Sequence, residues 1–348
     1  MSVRKIDGLS RRGVLERVGA VVAGNARAQG ADPRVQLVPR ADLVNVLEYE
    51  EQARRAIDAA AFARLAGGDR SAFDRITLRP HMMVSTRGLD MGLTLFGHAH
   101  HSPIIAGPIA SSALADPSRD VEILRGAMIA GATVIAAGAT AARAEIRQMK
   151  TPVWCQVFAA DASAADEVKR AVDAGCRAAC VTIGVASSAR GVRAAAPDGR
   201  QWRAVEAAAA TAGVPVIVKG VTSAAAAKLA VQHGAGGLVF SNYGGLIERA
   251  AGASIVDLPA VVDAVQGAVP VLMDGGFQRG TDILKALALG ASAVLVARPV
   301  AWGLSAYGAE GVQGVLEMLQ TELARYMAMC GKPSLQAIDR AVVKIHAR

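Results

Sequence analysis

From residue 103 onward the sequence alternates apolar runs of strand length with amphipathic stretches of helical length, and this alternation restricts the fold more than any other feature. The apolar runs fall at 103–106, 133–136, 153–158, 178–183, 214–219, 237–240, 269–273 and 293–296, and helical periodicity covers 118–130, 164–174, 204–212, 224–233, 258–266 and 282–289 between them. Strands that are apolar almost throughout are buried on both faces, which in an alternating chain means a parallel sheet covered by helices. Eight such strands in about 200 residues fit a closed (β/α)8 TIM barrel, an α/β fold, better than an open sheet. A chain of 348 residues then needs no second domain: 32–348 read as one barrel domain with its core at about 103–300.

The residues before the barrel form an extension. Leu43, Val46, Leu47, Ala53, Ile57 and Ala60 have helical spacing over 43–65, and Gly67-Gly68 makes a plausible stop. Residues 74–83 read as extended because Pro80 breaks a helix, and 91–96, flanked by Gly92 and Gly97, as a strand of a short hairpin. Residues 312–329 supply a last long helix.

Residues 1–31 differ from the rest. Ser10-Arg11-Arg12, a short apolar run over 18–24 and Ala26-Arg27-Ala28 have the order of a twin-arginine export signal, against which stands an ordinary basic N-terminal helix. The protein is accordingly expected either in the cytoplasm or, by that pathway, in the periplasm. Half of the formal charge of +8 lies in this leader. With 4% aromatic residues and no interleaving of basic and aromatic side chains, a nucleic-acid surface is not expected. No run reaches the roughly 18 apolar residues that cross a bilayer. Cys155, Cys176, Cys180 and Cys330 have no metal-site spacing and read as core residues. His98, His100 and His101 lack the carboxylate or thiol partners of a convincing metal site.

In a parallel barrel the working residues follow the strands. Here they are Pro108-Ile109-Ala110 after the first, Gln156 and Phe158 at the end of the third, and Thr182 and Gly184 after the fourth. Lys219 ends the fifth, Ser241-Asn242-Tyr243-Gly244 follow the sixth, Asp274-Gly275-Gly276 the seventh, and Ala297-Arg298 the eighth. The glycines after the seventh strand, with Arg279 and Arg298 near the helix starts that follow, suggest an anion pocket, because bare amides and helix dipoles favour phosphate.

Six motifs in this order, Val-Lys-Gly-Val, Leu-Ala-Val-Gln-His-Gly-Ala, Ser-Asn-x-Gly, Asp-Gly-Gly-x-x-Arg-Gly-Thr-Asp, Lys-Ala-Leu-Ala-Leu-Gly-Ala and Arg-Pro-Val, resemble the FMN-dependent 2-hydroxy-acid oxidases and dehydrogenases such as glycolate oxidase, lactate oxidase and mandelate dehydrogenase. The resemblance runs from about residue 43 to the end of the chain and is densest over 215–299. It implies FMN as cofactor, with Pro108, Ile109 and Ala110 along the flavin edge, Gln156 and Thr182 hydrogen-bonded to the ring system, and Lys219 beside its N1 and O2. It places Ser241, Asp274, Gly275, Gly276, Arg279, Ala297 and Arg298 along the ribityl and phosphate groups. It also implies a homo-oligomer, a tetramer.

The sequence departs from that pattern on the substrate side. Where the family has a histidine base stands Tyr243, where it has the aspartate holding that base stands Gly184, and where it has the carboxylate-binding arginine stands Leu246. Phe158 replaces a substrate-facing tyrosine, and Gln278 replaces the first arginine of the seventh-strand motif. Arg190 and Arg193, in a loop shorter than the family's lid, are substitutes for the lost clamp or simply solvated arginines. A phenol ionises near 10 and a histidine near 6.5, so Tyr243 serves as a base only if its pKa is depressed, for which Lys219 is the nearby candidate. The sequence therefore points to an FMN oxidoreductase with altered chemistry, in which Lys219 tunes the flavin, Tyr243 acts as a hydrogen-bond donor or an unusual base, and the small-molecule substrate is more apolar and less acidic than lactate. A catalytically silent FMN protein, or a barrel for another phosphorylated ligand, are the alternatives.

Overall fold

A computed structural model describes residues 36–66, 70–109, 119–137, 142–188, 191–244, 246–247 and 254–346. The leader, Ala110 and Arg190 lie outside the described residues. Eight parallel strands close into a barrel: β1 (Ile104–Ala106), β2 (Thr133–Ala136), β3 (Val153–Phe158), β4 (Ala178–Thr182), β5 (Val216–Val221), β6 (Gly237–Phe240), β7 (Val271–Asp274) and β8 (Ala293–Val296). Each pairs with its sequence neighbours, and Val294–Ile104 pairing of β8 with β1 closes the ring. The eightfold alternation read from the sequence is thus borne out.

The helices that follow the strands are α1 (Arg119–Ile129), α2 (Arg143–Gln148), α3 (Ala164–Ala174), α4 (Gly199–Thr211), α5 (Ala224–Gln232), α6 (Leu258–Val265), α7 (Gly280–Ala288) and α8 (Arg298–Met329). Asp198 starts α4 by accepting the amides of Arg200 and Gln201 at 3.0 and 2.9 Å, and left-handed Gly175 ends α3. Two expected boundaries change. The stretch 43–65 is two helices, Val46–Ala56 and Ala59–Leu65, because Asp58 caps a new start through the amides of Ala60 and Ala61. The last helix begins at Arg298 and is broken at Tyr307 and Gly308, where φ and ψ leave the helical region. Residues 74–83 are only partly a strand: Ile76–Leu78 pairs antiparallel with Val343–Ile345.

Alternation along each strand divides the core in two. Outward residues such as Val216 and Val218 join the large cluster under the helices. Inward residues, among them Ile105, Ile135, Trp154, Cys180, Ile217, Val239, Leu272 and Leu295, form a separate cluster along the barrel axis. Leu95 and Phe96 belong to that inner cluster and come from a hairpin, Leu93–Leu95 with His98–His100. Phe96 meets Trp154 edge to face at 5.3 Å, so the hairpin seals the end of the barrel where the strands begin. His100 is part of this plug: its ring nitrogens face Thr133 Oγ1 at 2.6 Å and the Leu95 carbonyl at 3.3 Å, and burial holds its pKa below the ordinary value. With that end closed, the mouth at the carboxyl ends is where a ligand meets polar side chains.

Candidate active site

The same period of two that puts Trp154, Cys180, Ile217 and Leu272 on the axis puts Gln156, Thr182, Lys219 and Asp274 one step nearer the mouth. Lys219, 2% exposed, is ion-paired with Asp274 and donates to Ser241 Oγ at 3.0 Å. Ser241 in turn donates to Asp274 Oδ2 at 3.0 Å and accepts the Tyr243 amide at 3.1 Å. One hydroxyl therefore joins the ends of β5, β6 and β7 with its donor and both acceptor positions used. Burying an ammonium this far requires such a partner set. The strand itself is shaped for it: the pairing of β5 with β6 slips between Lys219 and Val221, and Gly220, at φ 101°, has no room for a side chain, since a Cβ would lie 2.3 Å from the Ile183 carbonyl oxygen. Beneath the lysine, burial pushes the Cys180 thiol up to about 12, so this cysteine packs and does not react.

A second chain of contacts runs beside the first. Gln156 donates through Nε2 to Thr182 Oγ1 at 3.0 Å and hydrogen-bonds the Tyr243 phenol. Tyr243 has a left-handed backbone (φ 52°) and its ring packs against Phe158 at 6.4 Å between centroids. Lys219 Nζ lies 5.4 Å from the centre of the Tyr243 ring, over the face and not at the hydroxyl. Its charge is balanced by Asp274, which itself disfavours a phenolate. Burial foremost, opposed by the Gln156 hydrogen bond and reinforced by Asp274, drives the phenol up to about 12. The condition under which Tyr243 would serve as a base, a pKa depressed by Lys219, is not met, and the phenol stays protonated at neutral pH.

The turn after β6 carries apolar side chains. Leu246 is half-buried in the turn after Tyr243, and Ile247, which sequence reasoning passed over, covers the position where an aspartate would have stood: a Cβ on Gly184 (φ 78°) would lie 2.9 Å from Ile247 Cδ1. The loop after β4 is not an open lid. Val185–Ser188 and Gly191–Ala194 pair as an antiparallel hairpin, pinned by Gln201, whose side chain accepts the Gly184 amide at 2.9 Å and donates to the carbonyls of Ala195 and Ala196. Arg193 stands exposed on this hairpin.

In the turn after β7, Gly275 and Gly276 take positive φ, and no atom lies within 4 Å of where a Cβ on Gly275 would be. Helix α8 begins beside them at Ala297 and Arg298 with no side-chain cap. The start of α7 is already served by carboxylates: Asp282 accepts the amides of Gln278 and Arg279 at 3.0 Å each, and Glu322 accepts the Gly280 amide at 2.7 Å. Glu322 also draws the Arg279 guanidinium, at 3.1 Å, so the charge expected of Arg279 is balanced there. Arg70, from the extension, reaches the Gly276 carbonyl at 2.9 Å and Gln278 Oε1 at 2.8 Å, contacts across more than 200 residues that no local pattern signals. After β1, Ile109 is buried and Pro108 half-buried.

This donor set suits a flavin mononucleotide: a dry layer of amide, hydroxyl and ammonium donors at the barrel mouth, and at one side an open glycine turn next to an uncapped helix start.

Comparison with known proteins agrees. The family model for FMN-dependent dehydrogenase matches residues 53–196 and 185–345. Among curated relatives, a peroxisomal (S)-2-hydroxy-acid oxidase GLO4 of Oryza sativa subsp. japonica is 33% identical over 86% of this chain and 95% of its own length. A 4-hydroxymandelate oxidase of Amycolatopsis orientalis is 32% identical over 87% of this chain and 98% of its own. A crystal structure of mandelate oxidase with (S)-2-phenylpropionate superposes with a TM-score of 0.78 at 31% identity, covering 88% of this chain and 100% of that one. The chain belongs to the FMN-dependent dehydrogenase family, as the 2-hydroxy-acid oxidases it resembles do, and its cofactor is FMN.

Proposed function

We propose that this protein is an FMN oxidoreductase of the 2-hydroxy-acid oxidase type whose substrate is a neutral, apolar CH–OH or related donor, with Tyr243 as a fixed hydrogen-bond donor in place of a base. The observation that carries this reading is the Tyr243 phenol, pushed up to about 12 by burial and placed over an ammonium already paired with Asp274. Such a group presents a proton to a substrate oxygen throughout the neutral range and accepts none. FMN, when bound, would take up the two electrons with the C–H hydrogen, and the hydroxyl proton that the substrate loses would pass to water, since Tyr243 takes none.

Gln156, Thr182 and Lys219 are the groups to hold its ring system, with Pro108, Ile109 and Ala110 along the edge. Asp274, Ser241, Gly275, Gly276, Ala297 and Arg298 are those for the ribityl and phosphate groups. Lys219, although its charge is paired with Asp274, has three N–H donors, two of them used by Asp274 and Ser241, and would offer the third to the ring system. Leu246, Ile247 and Phe158 give the substrate an apolar wall. A carboxylate moved onto that wall would lose water without gaining a bidentate partner.

The test is anaerobic mixing of the purified flavoprotein with mandelate and with its neutral methyl ester. Faster bleaching of the flavin by the ester supports the proposal, and faster bleaching by the acid contradicts it. Bleaching by neither favours the second reading, a protein that holds FMN without turnover, which the loss of a base at position 243 also permits.

A further inference from the structure

We infer that Arg70 and Gln278 together replace the arginine missing from the seventh-strand turn: Arg70 is a positioning residue that turns Gln278 so that its amide NH2 meets the cofactor phosphate. The inference rests on the reading above that the phosphate end of FMN lies at the turn after β7. Arg70 Nη1 donates to Gln278 Oε1 at 2.8 Å. A guanidinium has donors only, so the amide oxygen must face it, which leaves the NH2 as the group that Gln278 offers on its other side. Gln278 is 9% exposed, and its amide is held by this contact instead of turning freely in water.

Arg70 is itself fixed at two further points, through Nε to the Gly276 carbonyl at 2.9 Å and through Nη2 to Asp282 Oδ2 at 2.5 Å. The same Asp282 oxygen accepts the Gln278 and Arg279 amides, so guanidinium, turn and helix start share one carboxylate. Behind the turn, Phe73 leaves no space: a Cβ on Gly276 would lie 2.7 Å from its ring, and it meets Phe277 edge to face at 5.5 Å. Asp282 offsets the charge of Arg70, as Glu322 offsets that of Arg279. This side of the phosphate site therefore works through oriented amide donors, and Arg70 acts on the phosphate only by way of Gln278.

The full-length protein, freed of flavin, is titrated with FMN and with riboflavin, which lacks the phosphate, and binding is read by flavin fluorescence. Arg70→Met and Gln278→Met are each expected to weaken FMN binding about tenfold, the size of one buried hydrogen bond, and to leave riboflavin binding within about twofold. The double variant should bind FMN no worse than either single one, because both changes break the same chain of contacts. Gln278→Arg in the Arg70→Met background should restore FMN affinity.

Unchanged FMN affinity in either single variant overturns the inference, as do equal losses for FMN and riboflavin or losses that add in the double variant. Gln278→Met leaves the Arg70–Asp282 pair intact and so decides the matter even where Arg70→Met does not fold. A wild-type protein that binds FMN no tighter than riboflavin, with the variants alike, sinks the phosphate assignment and the inference with it. Selective FMN binding that ignores both variants sinks the inference alone.

Discussion

Removing either member of the Lys219–Asp274 pair should destabilise the flavin-free barrel, but not equally. Lys219 is 2% exposed, whereas the Asp274 side chain is 16% exposed and keeps the Ser241 hydroxyl as a donor. Asp274→Ala strands an ammonium in the core with one hydroxyl for company, which places it in the range of broken buried pairs, about 3–5 kcal/mol. Lys219→Met leaves a carboxylate that retains a hydrogen bond and some water, and the methionine fills the apolar stem of the lysine, so its cost should be nearer 1–3 kcal/mol. The double variant, with no orphaned charge, should lose less than the sum. Guanidinium denaturation of the four proteins at neutral pH gives these differences from the midpoints at constant slope. A Lys219→Met variant less stable than Asp274→Ala, or losses that simply add, would refute the reasoning that desolvation of the ammonium dominates.

Three further predictions concern Tyr243 and the surroundings of Gly184. The Tyr243 phenol, at about 12 in the fold against 10.0 for an ordinary tyrosine, stabilises the protein fully below pH 10. That contribution is lost progressively as the pH rises from 10 through about 12 and totals on the order of 3 kcal/mol. Comparing the alkaline stability of wild type and Tyr243→Phe isolates it, and a phenolate absorbance that grows in near pH 9 would contradict the burial argument. Gly184→Asp should cost about 1–3 kcal/mol, because position 184 has φ 78° and a side chain there meets Ile247. Shortening Ile247 to Ala should recover only the steric part of the lost melting temperature. For the same reason, restoring His, Arg and Asp at 243, 246 and 184 is not expected to revive hydroxy-acid oxidation while Ile247 remains.

The barrel was legible because its strands are buried on both faces, so each appears as an unbroken apolar run, and a polar residue at the end of such a run, Lys219, stands out. Elements lacking that signature were not. Helix α2 buries only Ile146 of its six residues and leaves no stripe to read. The break in α8 depends on Tyr307 and Gly308 inside a sequence that is otherwise helical. The helix start that Asp58 caps lies inside an apolar spacing that continues across it, so the periodicity gave no sign of the break.

At the site, the polar residues at the barrel mouth were legible from the strand ends, but their electrostatics were not. That Asp274 balances Lys219, and Glu322 balances Arg279, are facts of tertiary contact between segments far apart in sequence. So is the reach of Arg70 to the turn after β7, and the cover that Ile247 gives to Gly184. Whether Tyr243 gains a depressed pKa was undecidable for this reason: proximity to a lysine was readable, and the neutralisation of that lysine was not.

The central claim, that Tyr243 donates a hydrogen bond and takes no proton, is tested most directly by the pH dependence of anaerobic flavin reduction by the neutral ester in wild type and Tyr243→Phe. The account predicts profiles of the same shape from about pH 6 to 9, with the Phe variant slower by about tenfold throughout, the loss of one hydrogen bond to the substrate. A basic limb in the wild type within that range that disappears in Tyr243→Phe would show proton transfer to the phenolate and contradict it.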